Sequence, residues 1–89
     1  MSDARATEWP AWWDWELELT GHVLRRMTDR GFNEVDLRSM MDSPLRLRQD
    51  EEPGRWVVET LHDFRPWEVI VEPDFVDHLV VVITAYPVD

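Results

Sequence analysis

The segment WDWELEL at residues 13–19 alternates strictly between apolar and acidic side chains. Successive side chains of a β-strand point to opposite faces, so this period of two predicts a strand with one apolar face and one acidic, solvent-exposed face. A strand of this kind constrains the fold, because its apolar face must be buried in a sheet that carries a second layer. The residues expected on the apolar face are Trp13, Trp15, Leu17 and Leu19.

Two short helices are predicted to follow this strand. Thr20 is placed to cap the first helix, and Gly31 is placed to end it in the left-handed conformation that glycine adopts without strain. Asn33 can cap the second helix, because Asp36 three residues later completes a capping box. The Ser-Pro pair at residues 43–44 ends this helix. The residues expected to face the core are Val23, Leu24, Met27, Leu37, Met40 and Met41.

The second half of the chain has the pattern of an antiparallel sheet. Residues 45–48 alternate between apolar residues and Arg, which is typical of a short edge strand. Residues 55–62, 67–72 and 79–86 are predicted to form three more strands. Because their connections have hairpin length, these three strands form an antiparallel meander, which has four strands if the edge strand joins it. The last strand is apolar on both faces near its start, which indicates either a central position in the sheet or a contact on its second face.

The predicted fold class is therefore α+β, with an N-terminal strand and a helical hairpin packed on one face of an antiparallel sheet. The length of 89 residues suits one domain, which we assign to residues 13–89, after a flexible Trp-containing tail at residues 1–12. The chain has no cysteine, which excludes disulfides and cysteine-based zinc sites. A cytoplasmic location is expected, because no leader or apolar membrane span is visible.

The formal net charge of −10 argues against tight, non-specific phosphate binding over the whole surface. The charge is uneven, since residues 19–48 carry six Arg against four acidic residues, whereas residues 49–89 carry two Arg against ten acidic residues. All nine basic residues are Arg, the side chain suited to bidentate contacts with carboxylates and phosphates. GC-rich codon usage would give the same bias.

His22, Arg26 and Arg30 recur every four residues and therefore lie on one stripe of the first predicted helix. Such a stripe can bind an anion, and His22 can act as a general acid or base near neutral pH. The structural alternative is a solvated face whose Arg side chains pair with Asp29, with Glu34 or with carboxylates of the sheet.

Tyr86 lies at the end of the last predicted strand, and Thr84 shares its face, so Tyr86 can meet either the helix stripe or the Arg55 end of the neighbouring strand. The Tyr86 hydroxyl can serve a phosphate or a proton relay, and the alternative is a core tyrosine with an exposed hydroxyl. His62 and His78 border turns and, with the histidine of the stripe, form no recognisable metal-ligand spacing. No metal or other cofactor is expected.

Carboxylates are expected to line the open side of the sheet. Glu68 and Glu72 share one face of their strand, and if Asp14, Glu16 and Glu18 lie on the same face, that side is strongly acidic. This arrangement is typical of a solvated face. Glycoside hydrolysis by paired carboxylates would need a deep cleft, which a domain of this size does not readily form.

Four tryptophans fall within residues 9–15. Tryptophan is favoured at interface hot spots, so this cluster predicts an anchor for a partner or for a second copy of the chain. Trp13 and Trp15 are assigned to the core by the alternation, which leaves Trp9 and Trp12 as the exposed candidates.

The segment HVLRRMTDRGF, the strand GRWVVE and the ending VVVITAYPV resemble a family of small bacterial domains of unknown function, usually grouped with the BrnT-like and RelE/ParE-like toxins. The resemblance covers roughly residues 19–88. Its short signature is a histidine that opens a helix, arginines at the fourth and eighth positions after it, a glycine, and a Thr-x-Tyr strand end. These positions are His22, Arg26, Arg30, Gly31, Thr84 and Tyr86.

This resemblance implies a RelE-like α+β fold and a ribonuclease toxin that acts without a metal. His22 would then be the acid or base, Arg26 and Arg30 would hold the scissile phosphate, and Tyr86 would assist. The chain departs from the RelE-like nucleases in one respect. Those proteins are usually basic, whereas the charge of −10 and the acidic sheet of this chain disfavour RNA binding.

Two functions are predicted. The first is a metal-independent endoribonuclease centred on His22, Arg26, Arg30 and Tyr86, one half of a toxin–antitoxin-like pair with a cognate antitoxin as partner. The alternative is a non-catalytic module of the same fold, whose acidic surface binds a basic protein and whose Trp-rich N-terminus mediates assembly, including a homodimer. The two differ in whether His22 is accessible beside the arginines.

Overall fold

The computed structural model describes residues 9–88, which form two helices and a five-stranded mixed sheet. The prediction of an α+β fold is confirmed. The predicted tail lies mostly outside the described residues, which include only residues 9–12 of it. A short 3-10 helix at Ala11–Asp14 precedes the sheet. The elements are β1 (Glu16–Leu19), α1 (Gly21–Arg30), α2 (Glu34–Asp42), β2 (Arg46–Gln49), β3 (Trp56–His62), β4 (Arg65–Asp74) and β5 (Leu79–Pro87).

Both helices begin and end where the local sequence predicts. The Thr20 hydroxyl accepts a hydrogen bond from the Val23 amide at 3.2 Å, and Gly31 ends α1 in the left-handed region at φ 69°. Asn33 and Asp36 form the predicted capping box, with hydrogen bonds of 2.9 and 3.0 Å in the two directions. These caps satisfy backbone amides that would otherwise lack partners at the start of each helix.

The sheet has the strand order β1-β5-β4-β3-β2. Strands β2 to β5 form the predicted antiparallel meander, but β1 pairs with β5 in parallel, so the expectation of a wholly antiparallel sheet is wrong. The two helices and three strands that separate β1 from β5 bring the chain back beside β1 in the same direction. Leu19 lies opposite Val82, and the Thr20 amide donates to the Val82 carbonyl at 3.3 Å.

The strand predicted to begin at Trp13 begins instead at residue 16. Amides of Trp13 and Trp15 donate to the carbonyls of Pro10 and Trp12, each at 3.0 Å, and these bonds close the turns of the 3-10 helix. The alternation of apolar and acidic residues is confirmed for residues 16–19, where both leucines are half-buried and both glutamates are exposed.

The same turn carries Trp12 into the core, so the prediction that Trp12 is exposed is wrong. Its side chain is 6% exposed, and its ring centroid lies 5.6 Å from that of Trp56. Trp9 is half-buried, with its ring centroid 4.7 Å from that of Trp13. The turn therefore replaces the start of the predicted strand, and in doing so it buries one large aromatic side chain.

The core fills the space between the helices and one face of the sheet. Leu24 was expected in this core but is 49% exposed, because the inward side of α1 is occupied by Val23. The buried Thr60 hydroxyl donates to the Met40 carbonyl at 2.9 Å and so ties the end of α2 to β3. The buried apolar residues of this core are Trp12, Val23, Phe32, Leu37, Met40, Met41, Val58, Trp67, Val69, Val71, Val80, Val82 and Ala85.

The opposite face of the sheet carries no helix in the part of the chain that the structure describes. Val57 and Ile70 lie side by side on this face and are nevertheless only 2% and 7% exposed. Arg48 lies opposite Val57 on β2. On the same face, Arg55 and Glu59 flank Val57 along β3, and Glu68 and Glu72 flank Ile70 along β4. Long charged side chains cover apolar surface with their stems while their ends stay in water, which explains this burial.

Candidate functional site

His22, Arg26 and Arg30 lie on successive turns of α1, as their spacing predicts. His22 and Arg30 are exposed, and Arg26 is half-buried. Within residues 9–88, His22 makes no hydrogen bond or ion pair. Its imidazole is therefore open to solvent one turn away from Arg26.

Arg26 is paired with a carboxylate of its own helix. Its Nη1 atom lies 2.6 Å from Oδ2 of Asp29, a partner that the structural alternative had named. The Nε atom of Arg26 is buried and has no hydrogen-bond partner among the described residues. A phosphate at this position would have to compete with the Asp29 carboxylate for the guanidinium.

Arg30 is hydrogen-bonded to strand β5 of the sheet. β1 covers only residues 79–82 of β5, so the outer edge of the remaining residues has no strand beside it in the described chain. The Nη1 atom of Arg30 donates to the Ala85 carbonyl at 2.7 Å and to the Thr84 hydroxyl at 3.3 Å. Arg30 therefore fastens the end of α1 to the uncovered part of β5, which is a structural role.

Tyr86 lies on the face of the sheet away from the helices, so the expectation that it approaches the helix stripe is wrong. Its hydroxyl donates to Oε1 of Glu68 at 2.7 Å, and Glu68 lies directly opposite it on β4. Oε2 of Glu68 accepts from Arg48 at 2.9 Å, and Arg48 also donates to Glu59 at 2.8 Å. The structure thus places Tyr86 in a network of charged side chains, apart from the stripe.

The surroundings of Tyr86 make its hydroxyl a weak acid. Burial raises its pKa to about 12, and the hydrogen bond and negative charge of Glu68 act in the same direction. The pKa of Arg48 is also raised, chiefly by its hydrogen bond to Glu59. A phenol that holds its proton so firmly is poorly suited to act as a general base near neutral pH.

We expect the only tyrosine of the chain to ionise near pH 12 when tyrosinate absorbance is followed during an alkaline titration. The Glu68→Gln variant removes the neighbouring charge, so its Tyr86 pKa should fall towards the ordinary value of 10.0. Because the folded state favours the neutral phenol, stability is complete below pH 10.0 and falls as the pH rises towards 12. A wild-type midpoint at the ordinary value would contradict this assignment.

Carboxylates gather on the same side of the sheet near its β1 edge. Glu16 and Asp74 flank Leu79 in one row across the strands, and Glu18 and Glu72 flank Val81 in the next row. We call these four acidic residues and the two apolar residues between them the acidic face. The condition for a strongly acidic side is thus met by Glu16 and Glu18, which share a face with Glu68 and Glu72, but not by Asp14, which lies in the 3-10 helix.

An open groove lies between the N-terminal segment, the start of β1 and α2, with a volume of about 680 Å³. We call it the Trp groove, because three tryptophans are among the residues that line it. The tryptophans form a cluster in the sequence, whereas the α2 residues reach the groove only when that helix packs on the sheet. Its lining includes Trp9, Trp13, Trp15, Asp14, Glu16, Arg38 and Asp42.

Two further properties of residues 9–88 bear on the class of site. No three histidine, aspartate or glutamate side chains come close enough together there to hold a metal ion. None of the helices in that range is long and apolar enough to span a bilayer.

Comparison with protein families shows which family the chain matches. A family model described as a domain of unknown function (DUF4258) matches residues 19–87, which begin at the last residue of β1 and include both helices and the meander. Neither the curated proteins nor the solved structures contain a significant match to the chain. The matched region holds the helix stripe and Tyr86, and it leaves out most of the Trp groove.

Proposed function

The chain belongs to the DUF4258 family of domains of unknown function, and from this premise we propose that it is an interaction module that binds a basic protein through its acidic face. The observation that carries this proposal is the grouping of four carboxylates around two half-buried apolar residues, on the side of the sheet that carries no helix within residues 9–88. An antitoxin-like protein with a basic segment is one example of a partner that has the required positive charge. The RelE-like and BrnT-like assignment stays a prediction.

The carboxylates of the acidic face are only partly neutralised by the protein itself. Glu72 lies 3.3 Å from Nε of Arg55, and Asp74 accepts hydrogen bonds from two amides of the β4–β5 loop. Glu16 and Glu18 are exposed and form no ion pair among residues 9–88. A basic partner would relieve their mutual repulsion, and Leu79 and Val81 would give the contact an apolar centre.

The free edge of β1 offers a way for such a partner to bind. β1 pairs with β5 on one side only, and its other edge has no strand beside it within the described chain. An extended segment can add to a sheet edge through backbone hydrogen bonds, and alternating basic side chains would then meet Glu16 and Glu18. A second copy of β1 would bring the same glutamates together, so like-charge repulsion favours a different, basic partner.

The proposal predicts that a fluorescent peptide of alternating Lys and Val binds the purified protein at low salt and is released as salt is added. In the double variant Glu16→Gln/Glu18→Gln, we expect the dissociation constant to rise by about tenfold or more, because two charge-assisted contacts are lost. Fluorescence anisotropy measures this change. Circular dichroism checks that the variant is folded.

The matched control is Glu51→Gln/Glu52→Gln, which removes the same charge from an exposed loop between β2 and β3. This control should bind the peptide within about twofold of the wild type. Equal weakening by the two double variants would show a general charge effect and would contradict the proposal. The absence of any binding to the wild type at low salt would overturn it.

The endoribonuclease hypothesis is the second candidate, and the exposure of His22 one turn from Arg26 favours it. Against it stand the pairing of Arg26 with Asp29, the engagement of Arg30 with β5, and the position of Tyr86 on the other side of the sheet. We therefore expect no cleavage of a labelled, mixed-sequence RNA at low salt with chelator. Cleavage that disappears in folded His22→Ala and Arg26→Ala variants would establish the ribonuclease instead.

A further inference from the structure

We infer that the Trp groove receives an arginine side chain of the basic partner that binds the acidic face. This inference rests on the proposed function and names the chemistry by which the partner is recognised. The groove has a volume of about 680 Å³, which is ample for one side chain of a bound peptide. Its lining combines aromatic rings with carboxylates, the two groups that attract a guanidinium.

The aromatic part of the groove is held in place by the core. Trp13 and Trp15 are half-buried and pack against the core cluster, so their rings are fixed before a ligand arrives. The ring centroids of Trp9 and Trp13 are 4.7 Å apart and their planes are inclined at 47°. A flat guanidinium can stack on the face of an indole ring. Arginine makes such contacts more often than lysine does.

The charged part of the groove is negative among the described residues. Of those that line it, Asp14, Glu16 and Asp42 are exposed carboxylates, and Arg38 is the one cation. The guanidinium of Arg38 lies 3.0 Å from Oε2 of Glu34 and is thereby largely compensated. The groove is therefore complementary to a positively charged ligand and unfavourable for a phosphate or a carboxylate.

Asp42 stands at a position that helix electrostatics disfavours. It is the last residue of α2, where the negative end of the helix dipole repels an acidic side chain. Within the described residues it has no ion pair to offset this repulsion. A bound cation would offset the repulsion between Asp42 and the negative end of the α2 dipole. Binding of a basic ligand would therefore explain why an acidic residue stands at a position where it weakens its own helix.

The groove and the acidic face are one continuous surface, because Glu16 belongs to both. A segment added along the free edge of β1 would run past the mouth of the groove. One arginine of that segment could then enter the groove while its neighbours face Glu16 and Glu18. The proposed occupant is thus a particular residue of the same basic partner.

The test compares two peptides of equal length and charge, one of alternating Arg and Val and the other of alternating Lys and Val, in anisotropy titrations of the full chain. We expect the Arg peptide to bind more tightly, and Asp42→Asn to weaken its binding by about tenfold, the loss typical of one charge-assisted contact. The melting temperature of Asp42→Asn should equal or exceed that of the wild type, because the repulsion at the end of α2 is removed.

The matched control is Asp63→Asn, the same chemical change at an 87% exposed side chain in the β3–β4 turn. Asparagine also tolerates the positive φ of 53° at this position. This variant should bind the Arg peptide within about twofold of the wild type. An equal loss in Asp63→Asn and Asp42→Asn, or equal binding of the Arg and Lys peptides, would overturn the inference.

Two further outcomes separate the inference from the proposed function. If Glu16→Gln/Glu18→Gln weakens binding but Asp42→Asn does not, the acidic face stands as a binding surface and the groove is rejected. If Arg5→Ala tightens binding severalfold, the groove is occupied by an arginine of this chain itself, which would overturn the assignment to a partner. Movement of the Trp9 and Trp13 indole N–H signals on addition of the Arg peptide supports the inference.

Discussion

Replacing Trp12 with alanine is expected to lower the free energy of unfolding by about 3–5 kcal/mol, the usual cost of deleting a buried tryptophan. Trp12 is 6% exposed and belongs to the core cluster, with its ring centroids 5.6 Å from Trp56 and 6.1 Å from Trp13. Small domains have only about 5–15 kcal/mol of stability in total, so this single change should bring the domain close to unfolding. Urea denaturation followed by circular dichroism measures the loss.

Trp9→Ala is the control for this prediction, because it removes the same side chain from a half-buried position three residues earlier. It should cost clearly less than Trp12→Ala. The two variants therefore separate a core role of the 3-10 helix from the simple loss of an aromatic residue near the N-terminus. A cost below about 1 kcal/mol for Trp12→Ala would place Trp12 at the surface, where the sequence pattern had put it.

Elements that depend on neighbouring residues were predictable from the sequence. Thr20, Asn33 and Gly31 define helix ends through hydrogen bonds or backbone angles that involve only a few residues around them. The four-stranded meander was predictable for a similar reason, because short connections leave antiparallel pairing as the simplest outcome. In these cases the local signals agree with the global fold.

Two features of the fold depend on contacts that no local pattern records. Residues 13–15 have the alternation of a strand, but the burial of Trp12 against Trp56 outweighs this local preference. Because the two tryptophans lie far apart in sequence, no pattern within residues 13–15 indicates their contact. The parallel pairing of β1 with β5 likewise depends on where the meander ends, so nothing in β1 itself specifies which strand it will join.

In the candidate site, too, the features set by local sequence were predictable and those set by long-range contacts were not. Helical spacing correctly aligned His22, Arg26 and Arg30, but it did not show that Arg30 would bind the Ala85 carbonyl more than fifty residues away. The face on which Tyr86 lies follows from its register opposite Glu68 across β4 and β5, which sequence spacing alone leaves open. Asp42 had no sequence signal for a site, because only the packing of α2 brings it to the Trp groove.

The junction of β1, β5 and α1 depends on one hydroxyl group, and Thr20→Val is expected to lower the free energy of unfolding by about 2–3 kcal/mol. The Thr20 hydroxyl caps α1 by accepting from the Val23 amide at 3.2 Å. It also donates to the Val82 carbonyl at 2.9 Å, with a longer contact to Ile83 at 3.2 Å. Valine has nearly the same shape, so the loss would come from the missing hydrogen bonds rather than from a cavity.

Thr20→Ser keeps the hydroxyl and removes only a methyl group, so it should cost about 1 kcal/mol or less in the same urea titration. Hydrogen exchange locates the effect, because the amides of Val23 and of the β1–β5 pair should exchange faster in Thr20→Val while those of the β3–β4 pair change less. If valine and serine cost the same, the hydroxyl is not what holds β1 beside β5. The parallel pairing would then rest on the burial of Leu17 and Leu19 against Val80 and Val82, which both variants leave in place.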